Sequence, residues 1–417
     1  MGTDEEVHEK SRLRSRASAE CSSVKSYETT TKGVPILMTH FVRFIMLVLT
    51  GCLTARGVMA QQSGDVVHGE LGRKADSLLT RAAEDGFSAV ILIAQGDTIL
   101  LRRGYGWADR GKKTPFSPNT IFDIGSITKQ FTAAGILALD TQGKLSVQDP
   151  LSRFFPNAPA DKARITLHQV MTHSAGFDDD FGPDYAVMPR DSLMRLVMAS
   201  SLKFEPGKAW SYSNVDYSVM AAILEIVSGV PYETFIHDRL FGRAQMATTG
   251  YNIPHWDLTR LSRGYGSHND DQGTPLEKLW GADGPYWNLK GNGGILSTVD
   301  DLYRWHLALR NRSVLPESAM KKLEQGYVLE DPNDTTTTYG YGWELERKTD
   351  GRRVMHHSGS SDHSYAILRR YLDQDIVYIF ATNSPRNACP PEKPLTECGK
   401  TLDTERALRK LLFDEPQ

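Results

Sequence analysis

The sequence predicts an α+β fold in which segments from both ends of the chain form one antiparallel sheet flanked by helices. Near the N-terminal side, two β-prone apolar runs flank Gln95-Gly96-Asp97, which predicts a β-hairpin. Two further strand pairs, each around a turn signal, are predicted in residues 339–359 and 364–383. Between these regions, residues 150–290 combine helical periodicity with Gly- and Asp-rich loops, which predicts a mainly α-helical insertion.

Capping and stop signals place helices around these strands. Gly143 and Gly229 each follow a run of helical period and predict where two helices end. Ser297 and Thr298 predict the start of another, because short hydroxyl side chains cap helix N-termini. The predicted helices cover 71–86, 126–142, 190–201, a segment ending at 228, a segment following 298, and 402–413.

The chain is expected to divide near residue 60. Residues 1–60 are interpreted as a disordered extension plus a signal peptide, because 1–33 are polar and charged and an apolar run follows. Residues 61–417 are expected to form one interleaved folded unit. Its predicted parts are an α/β part, 61–149 with 291–417, and an α-helical part, 150–290.

An export signal is predicted between Met38 and Gln61. Arg43 precedes an apolar stretch that is shorter than a membrane span, and Val-Met-Ala comes just before Gln61. Met38 is therefore the expected start, and the alternatives are a genuine N-terminal tail or a buried core helix. Anchoring to a membrane is expected only if Cys52, in Leu-Thr-Gly-Cys, is lipidated. The predicted location is exported, periplasmic or extracellular.

Removal of this leader leaves two of the four cysteines, Cys389 and Cys398. They flank a Pro-rich loop, and in an exported chain this arrangement predicts a disulfide. Chain entropy gives such a small loop about 2–3 kcal/mol of stabilisation. The alternative is two free surface thiols.

The charge balance excludes one class of partner. The 417 residues contain 48 Lys and Arg against 51 Asp and Glu, and the sequence has no Lys/Arg block. Because nucleic-acid binding needs a concentrated basic surface, no nucleic acid is expected as a partner. The expected partner is a small-molecule or peptide substrate.

Ser126 and Lys129 lie three residues apart at the start of a predicted helix. Residues at this spacing share a helix face, so the hydroxyl and the amine can meet. A serine hydroxyl needs an adjacent base to act as a nucleophile, and lysine can be that base when burial lowers its pKa. On its own, the pair is more typical of a helix-capping serine.

Two further motifs carry groups that can bind or protonate a substrate. Tyr212 and Asn214 precede a predicted helix, and these side chains can exchange a proton and hydrogen-bond an amide or ester. His357 and Gly359 end a predicted strand, where glycine permits close backbone approach to a ligand. Each motif taken alone is also explained by an ordinary turn.

In this order the three motifs resemble S-x-x-K, Y-x-N and [HK]-[ST]-G of the serine β-lactamases and penicillin-binding proteins. The resemblance extends over about residues 85–385 and includes "ITLHQVMTHSAGF" at 165–177 and the segment 204–229. The chain looks most similar to the class C β-lactamase branch, which also contains D-Ala-D-Ala carboxypeptidases and carboxylesterases. It implies a β-lactamase/transpeptidase-like fold and an acyl-enzyme mechanism without cofactor or metal.

The resemblance also implies roles for the catalytic residues. Ser126 is expected to be the nucleophile and Lys129 its general base. Tyr212 is expected to relay protons to the leaving group and later to the deacylating water.

A second group of residues is expected to bind the substrate. Asn214 is expected to orient it, and His357 to bind or polarise it. The backbone amides of Ser126 and Ser360 are expected to form an oxyanion hole, with Gly359 beside them.

Two departures from the family pattern bear on the substrate. His357 stands where β-lactamases have lysine, which looks more like the secreted carboxypeptidases and esterases. Residues 360–365, "SSDHSY", replace a common Pro-Gly turn, so His363 is expected to reshape the rim of the site. A zinc site is disfavoured because the zinc-type lactamase spacing is absent. Its candidate ligands would be His356, His357, Asp362 and His363.

The sequence therefore predicts an exported serine hydrolase, β-lactamase-like or D-Ala-D-Ala carboxypeptidase-like, that forms an acyl-enzyme on amide, lactam or ester substrates. The alternatives are a carboxylesterase of the same family and a penicillin-binding sensor that does not turn over. The presence of Ser126, Lys129 and Tyr212 argues against the sensor, which has no need of all three. His173 is interpreted as a structural residue.

Overall fold

A computed structural model describes residues 64–266, 270–384 and 400–413. The predicted export signal, Cys52 and the pair Cys389 and Cys398 lie outside this part of the chain, so they stay predictions. Within the described ranges, no single helix combines the length and hydropathy needed to cross a membrane. Among these same residues, one bent helix pair, 214–228 with 232–244, meets that test when the two helices are counted together.

Nine strands form one antiparallel sheet, which confirms the predicted α+β fold. The order across it is β1-β3-β2-β15-β14-β13-β12-β11-β10. Strand β15, from the C-terminal region, pairs with β2, from the N-terminal region, and Leu92 lies opposite Ile379. The strands are β1 (Val66–Val67), β2 (Ala89–Gln95), β3 (Thr98–Tyr105), β4 (Trp107–Asp109), β5 (Thr114–Pro115), β6 (Phe122–Asp123), β7 (Gly264–Tyr265), β8 (Asp271–Gly273), β9 (Leu296–Ser297), β10 (Val328–Asp331), β11 (Asp334–Tyr339), β12 (Glu344–Arg347), β13 (Arg353–Ser360), β14 (Tyr365–Tyr371) and β15 (Ile376–Thr382).

Helices cover both faces of the sheet, which explains why β2 is apolar throughout. Successive strand side chains point to opposite faces, so Leu92 joins the core on one face and Ile91 joins the core on the other. The second face is covered by α1 and α10, whose Leu79 and Leu408 are fully buried. The helices are α1 (Gly69–Glu84), α2 (Thr128–Thr141), α3 (Leu167–Met171), α4 (Arg190–Ala199), α5 (Asn214–Ser228), α6 (Tyr232–Ile236), α7 (Gly242–Ala244), α8 (Val299–Arg310), α9 (Glu317–Leu323) and α10 (Lys400–Phe413).

Helix α2 runs through the centre of the larger core. Its residues are buried from Thr128 to Leu139, as expected for a helix that is apolar on nearly every side. Phe131 packs edge-to-face against Trp305 and Phe241, with ring centroids 4.9 Å apart in both pairs. This packing fixes the N-terminal end of α2, which carries Lys129 and directly follows the turn that contains Ser126.

The sheet extends further than the sequence predicts. No strand is predicted in residues 328–338, yet β10 and β11 form the edge of the sheet there. Neither β10 nor the Thr-rich β11 shows the apolar alternation of a half-buried strand, because most of their side chains are only partly buried or exposed. Tyr339, the last residue of β11, is buried, and its side chain reaches the site described below.

Removing one partner of the ion pair between Arg102 of β3 and Asp300 of α8 should destabilise the fold strongly. Arg102 is 2% exposed, and its Nε lies 2.5 Å from Asp300 Oδ1. Asp300→Ala leaves this guanidinium buried without its partner, so we expect the free energy of unfolding to fall by about 3 kcal/mol or more in urea denaturation. The matched control is Asp373→Ala, which breaks the more exposed pair with Arg353 and should cost less than about 1 kcal/mol. Equal losses for the two variants would contradict this assignment.

Candidate active site

Ser126 lies on a single 3-10 turn, Gly125–Ile127, that connects β6 to α2. Asp123 holds this turn, because its Oδ1 accepts a hydrogen bond from Gly125 N at 2.8 Å. Burial raises the pKa of Asp123 to about 6. Sequence reasoning did not single out Asp123, although it lies only three residues before the serine.

Lys129 lies one helical turn beyond Ser126, with its side chain fully buried. Its Nζ is 3.1 Å from Ser126 Oγ, 2.8 Å from Asn214 Oδ1 and 2.9 Å from the backbone oxygen of Asn292. Burial lowers the pKa of Lys129 to about 7, and the carboxylates of Asp184 and Asp216 partly oppose this shift. Asn292 was not foreseen, because it contributes a backbone carbonyl that any residue type possesses.

Tyr212 and Asn214 are placed by the start of α5. Ser213 caps this helix, since its Oγ accepts a hydrogen bond from the amide of Asp216. The side chain of Tyr212 is hydrogen-bonded to that of Ser126, and burial raises the pKa of the phenol above its ordinary value. Ser126 is therefore in contact with an amine on one side and a protonated phenol on the other.

Strand β13 passes close to the Ser126 turn because residue 359 is glycine. A Cβ at Gly359 would lie 1.9 Å from the oxygen of Ile124 and 2.7 Å from the amide nitrogen of Ser126. A Cβ at Gly125 would likewise lie 2.7 Å from the amide nitrogen of Ser360. Glycine at both positions brings the amides of Ser126 and Ser360 close together.

His357 also lies on β13, and its imidazole is bonded within the protein. Its Nδ1 is 2.6 Å from the backbone oxygen of Ser358, and its Nε2 is 3.0 Å from the hydroxyl of Tyr339. Burial and the nearby Lys129 lower the pKa of His357 to about 3. The ring is therefore neutral at physiological pH. Tyr339 was not foreseen as part of the site, because its segment "YGYGW" reads as strand packing.

A buried pair, His173 and Asp216, lies beneath Tyr212. The two side chains are 2.7 Å apart, and the ring of His173 packs 4.5 Å from the ring of Tyr212 and 4.6 Å from that of Tyr339. Burial lowers the pKa of His173 and raises the pKa of Asp216. In this structure His173 supports the segment that carries Tyr212.

The structure brings the predicted site residues into one place. Within the described ranges, no group of three or more His, Cys, Asp or Glu side chains is arranged to hold a metal ion. His356 points to the opposite face of the sheet from His357, where it faces Glu344 at 3.7 Å. The predicted site residues come from the Ser126 turn, α2, the start of α5 and β13. They are Ser126, Lys129, Tyr212, Asn214, His357, Gly359 and Ser360.

The chain belongs to the Beta-lactamase family, whose model matches residues 76–394. It is a serine hydrolase of that family. This result confirms the predicted superfamily and the β-lactamase/transpeptidase-like fold.

Three proteins are similar to this chain in sequence or in fold. The chain is 28% identical to penicillin-binding protein 4* of Bacillus subtilis over 347 residues, which cover 79% of this chain and 73% of that protein. A D-amino acid amidase from Ochrobactrum anthropi matches with a TM-score of 0.67 at 21% identity, covering 81% of this chain and 97% of the other. EstCE1, a hydrolase with promiscuous acyltransferase activity, matches with a TM-score of 0.68 at 19% identity. The match covers 82% of this chain and 98% of EstCE1. The chain spans less than two thirds of the length of several other curated relatives.

Gly359→Ala should disrupt the site specifically. The added methyl group meets backbone atoms of the Ser126 turn, so β13 and the turn must separate and the two amides move apart. We expect the rate of ester hydrolysis to fall by about 100-fold or more, the order observed when one oxyanion donor is lost. The control is Gly111→Ala, where the nearest atom lies at an ordinary 3.4 Å and activity should be retained. Full activity of Gly359→Ala would contradict the close approach described here.

Proposed function

We propose that this protein is an exported serine hydrolase that forms an acyl-enzyme at Ser126 on amide, lactam or ester substrates, in the manner of β-lactamases and D-Ala-D-Ala carboxypeptidases. The observation that carries the proposal is the set of contacts around the Lys129 amine. The amine is fully buried, it touches Ser126 Oγ, and its pKa is lowered to about 7 by burial.

Burial favours the neutral amine of Lys129, and its contacts then direct the amine as a base at Ser126. A neutral amine has two hydrogens and one lone pair. The oxygens of Asn214 and Asn292 can only accept hydrogen bonds, so they take the two hydrogens. The lone pair is then left for the hydroxyl of Ser126, which is the arrangement of a general base with its nucleophile.

The proposed reaction follows from these positions. Ser126 Oγ attacks the substrate carbonyl carbon as its proton passes to Lys129, and the amides of Ser126 and Ser360 stabilise the oxyanion. Tyr212, which keeps its proton because burial raises its pKa, donates that proton to the leaving group as the bond to the carbonyl carbon breaks. Lys129 returns a proton to Tyr212. Water then attacks the acyl-enzyme by the same steps in reverse, and Ser126 regains its proton.

A carboxylesterase is the second candidate function. The neutral His357 favours it, because a neutral ring offers no charge to hold an ionised substrate group. The fold is shared with both EstCE1 and the D-amino acid amidase, so the fold itself is compatible with ester and amide substrates. Export is supported by the apolar stretch that follows Arg43.

Active-site labelling tests the nucleophile and the base. A fluorescent fluorophosphonate or β-lactam should form a covalent adduct with the wild-type protein but not with Ser126→Ala. Lys129→Ala should slow labelling by at least about 100-fold, because the hydroxyl loses its base. The control is Lys162→Ala, which removes another buried lysine that is bonded to Asp161 and should preserve labelling. An adduct of wild-type yield on Ser126→Ala would overturn the proposed function.

The pH dependence of acylation provides an independent test. Because Lys129 acts as a base only when it is neutral, kcat/KM should rise with increasing pH through a midpoint near the pKa of about 7. The rate should level off above the midpoint, since Tyr212 and the neutral His357 do not titrate between pH 5 and 9. A rate that is flat from pH 5 to 9 would contradict Lys129 as the base.

A further inference from the structure

The side chain of Asn292 is buried, and both hydrogens of its amide are bonded inside the protein. Its Nδ2 donates to the backbone oxygen of Asn288 at 2.8 Å and to Ser218 Oγ at 2.9 Å. Because the carbonyl of Asn288 can only accept, the nitrogen of the amide, and not its oxygen, must face it. Asn292 is 2% exposed and Ser218 is 1% exposed. Loss of these bonds would therefore leave buried polar groups unsatisfied.

Ser218 is the acceptor in its hydrogen bond with Asn292. Its hydroxyl has a single hydrogen, which it donates to the backbone oxygen of Trp287 at 2.9 Å, with the backbone oxygen of Lys290 at 3.2 Å. The lone pairs of Ser218 Oγ are then left for the amide of Asn292. Each hydrogen in this network has an acceptor, so the network has one consistent direction.

The bond between Asn292 and Ser218 links the two elements that supply acceptors to the catalytic amine. Lys129 Nζ lies 2.9 Å from the backbone oxygen of Asn292 and 2.8 Å from Asn214 Oδ1. Asn214 begins α5, and Ser218 follows it by one helical turn on the same face. The side chain of Asn292 therefore links its own backbone carbonyl to the helix that carries Asn214.

The segment that carries Asn292 has no regular structure to orient its carbonyls, because residues 286–294 form neither a helix nor a strand. The segment packs closely on α5 at Gly291, where a Cβ would lie 2.5 Å from the Cβ of Ala221. This contact fixes the distance between the segment and α5. The bonds of the Asn292 side chain then restrain the residue whose carbonyl faces Lys129.

We propose that the side chain of Asn292 is a positioning group for the catalytic base and acts through Ser218 and Asn288. This inference rests on the proposed acyl-enzyme function and adds a residue to it. When both acceptors are held in place, the two hydrogens of the neutral amine have fixed directions and its lone pair is directed at Ser126 Oγ. Without this link the amine of Lys129 can rotate, and its lone pair faces Ser126 for a smaller fraction of the time.

Saturation kinetics of covalent labelling test the proposal. A fluorescent fluorophosphonate reports the reaction of Ser126 directly, and at about pH 8.5 the amine of Lys129 is mostly neutral. We expect Asn292→Ala to lower the limiting rate constant, kinact, by about tenfold or more, while the half-saturating concentration, KI, stays within about twofold of wild type. The labelled fraction at completion should equal that of the wild type, because a misdirected base slows the reaction without removing sites. A wild-type kinact, whether or not the labelled fraction falls, overturns the proposal.

A second variant and a double variant separate positioning from a general loss of structure. Ser218→Ala keeps the amide of Asn292 but removes its acceptor on α5, so it should also lower kinact. Because both residues act through one bond, the double variant should be about as slow as the slower single variant. The matched control is Thr382→Val, which removes another buried hydroxyl, bonded to the backbone oxygen of Ser88 at 2.7 Å, and should keep the wild-type kinact. Losses that multiply in the double variant overturn the proposal, because they show two independent defects.

The outcomes separate this inference from the function on which it rests. If the wild-type protein gives no Ser126-dependent adduct, the acyl-enzyme function itself fails. If the wild type is labelled at Ser126 and both single variants react with the wild-type kinact, only the positioning role fails. If Asn292→Ala does not fold, Ser218→Ala decides the question, and a wild-type kinact in that variant overturns the positioning role.

Discussion

The burial of one amine is the constraint on which the rest of the site depends. Lys129 lies in the core at the start of α2, and its Nζ reaches side-chain or backbone oxygens from three separate elements. A buried cation is unfavourable, so this position favours the neutral form of the amine. The start of α5 and the loop before β9 must therefore hold Asn214 and Asn292 accurately, since displacement of either oxygen frees the amine from its orientation.

Burial of the amine affects folding as well as chemistry. The folded protein releases the proton of Lys129 near pH 7, whereas in the unfolded chain the amine has its ordinary pKa of 10.5. Between these values the unfolded state binds more protons, so the contribution of this group to stability increases as the pH rises. Below pH 7 the protein bears the full cost of burying the amine, and above pH 10.5 this cost is absent. The site thus retains a destabilised group for the sake of its reactivity.

The sequence predicted the features of the site that depend on a particular residue type or spacing. A hydroxyl and an amine three residues apart imply contact on a helix, and Ser126 and Lys129 do lie within hydrogen-bond distance. Gly359 implies close backbone approach, and the space around it leaves no room for a Cβ. Strand patterns near both ends of the chain predicted the shared sheet. The helical periodicity of the middle region predicted its helices.

Other features could not be predicted, for physical reasons. Asn292 acts through its backbone carbonyl, which leaves no signal in the sequence. Tyr339 reaches His357 from β11, which lies two strands away from β13, and no apolar alternation marks that strand. The neutral state of His357 depends on two bonds and on burial, and these arise only when the strands are assembled.

In the proposed reaction Lys129 is neutral when Ser126 reacts, and a direct titration of its amine is the sharpest test. Lysine labelled at Cε with carbon-13 reports protonation through its chemical shift, and comparison with Lys129→Ala identifies the resonance. We expect a titration midpoint near pH 7 in the folded protein. A midpoint near the ordinary lysine value of about 10.4 would contradict it, because the amine would then be charged and unable to accept the serine proton.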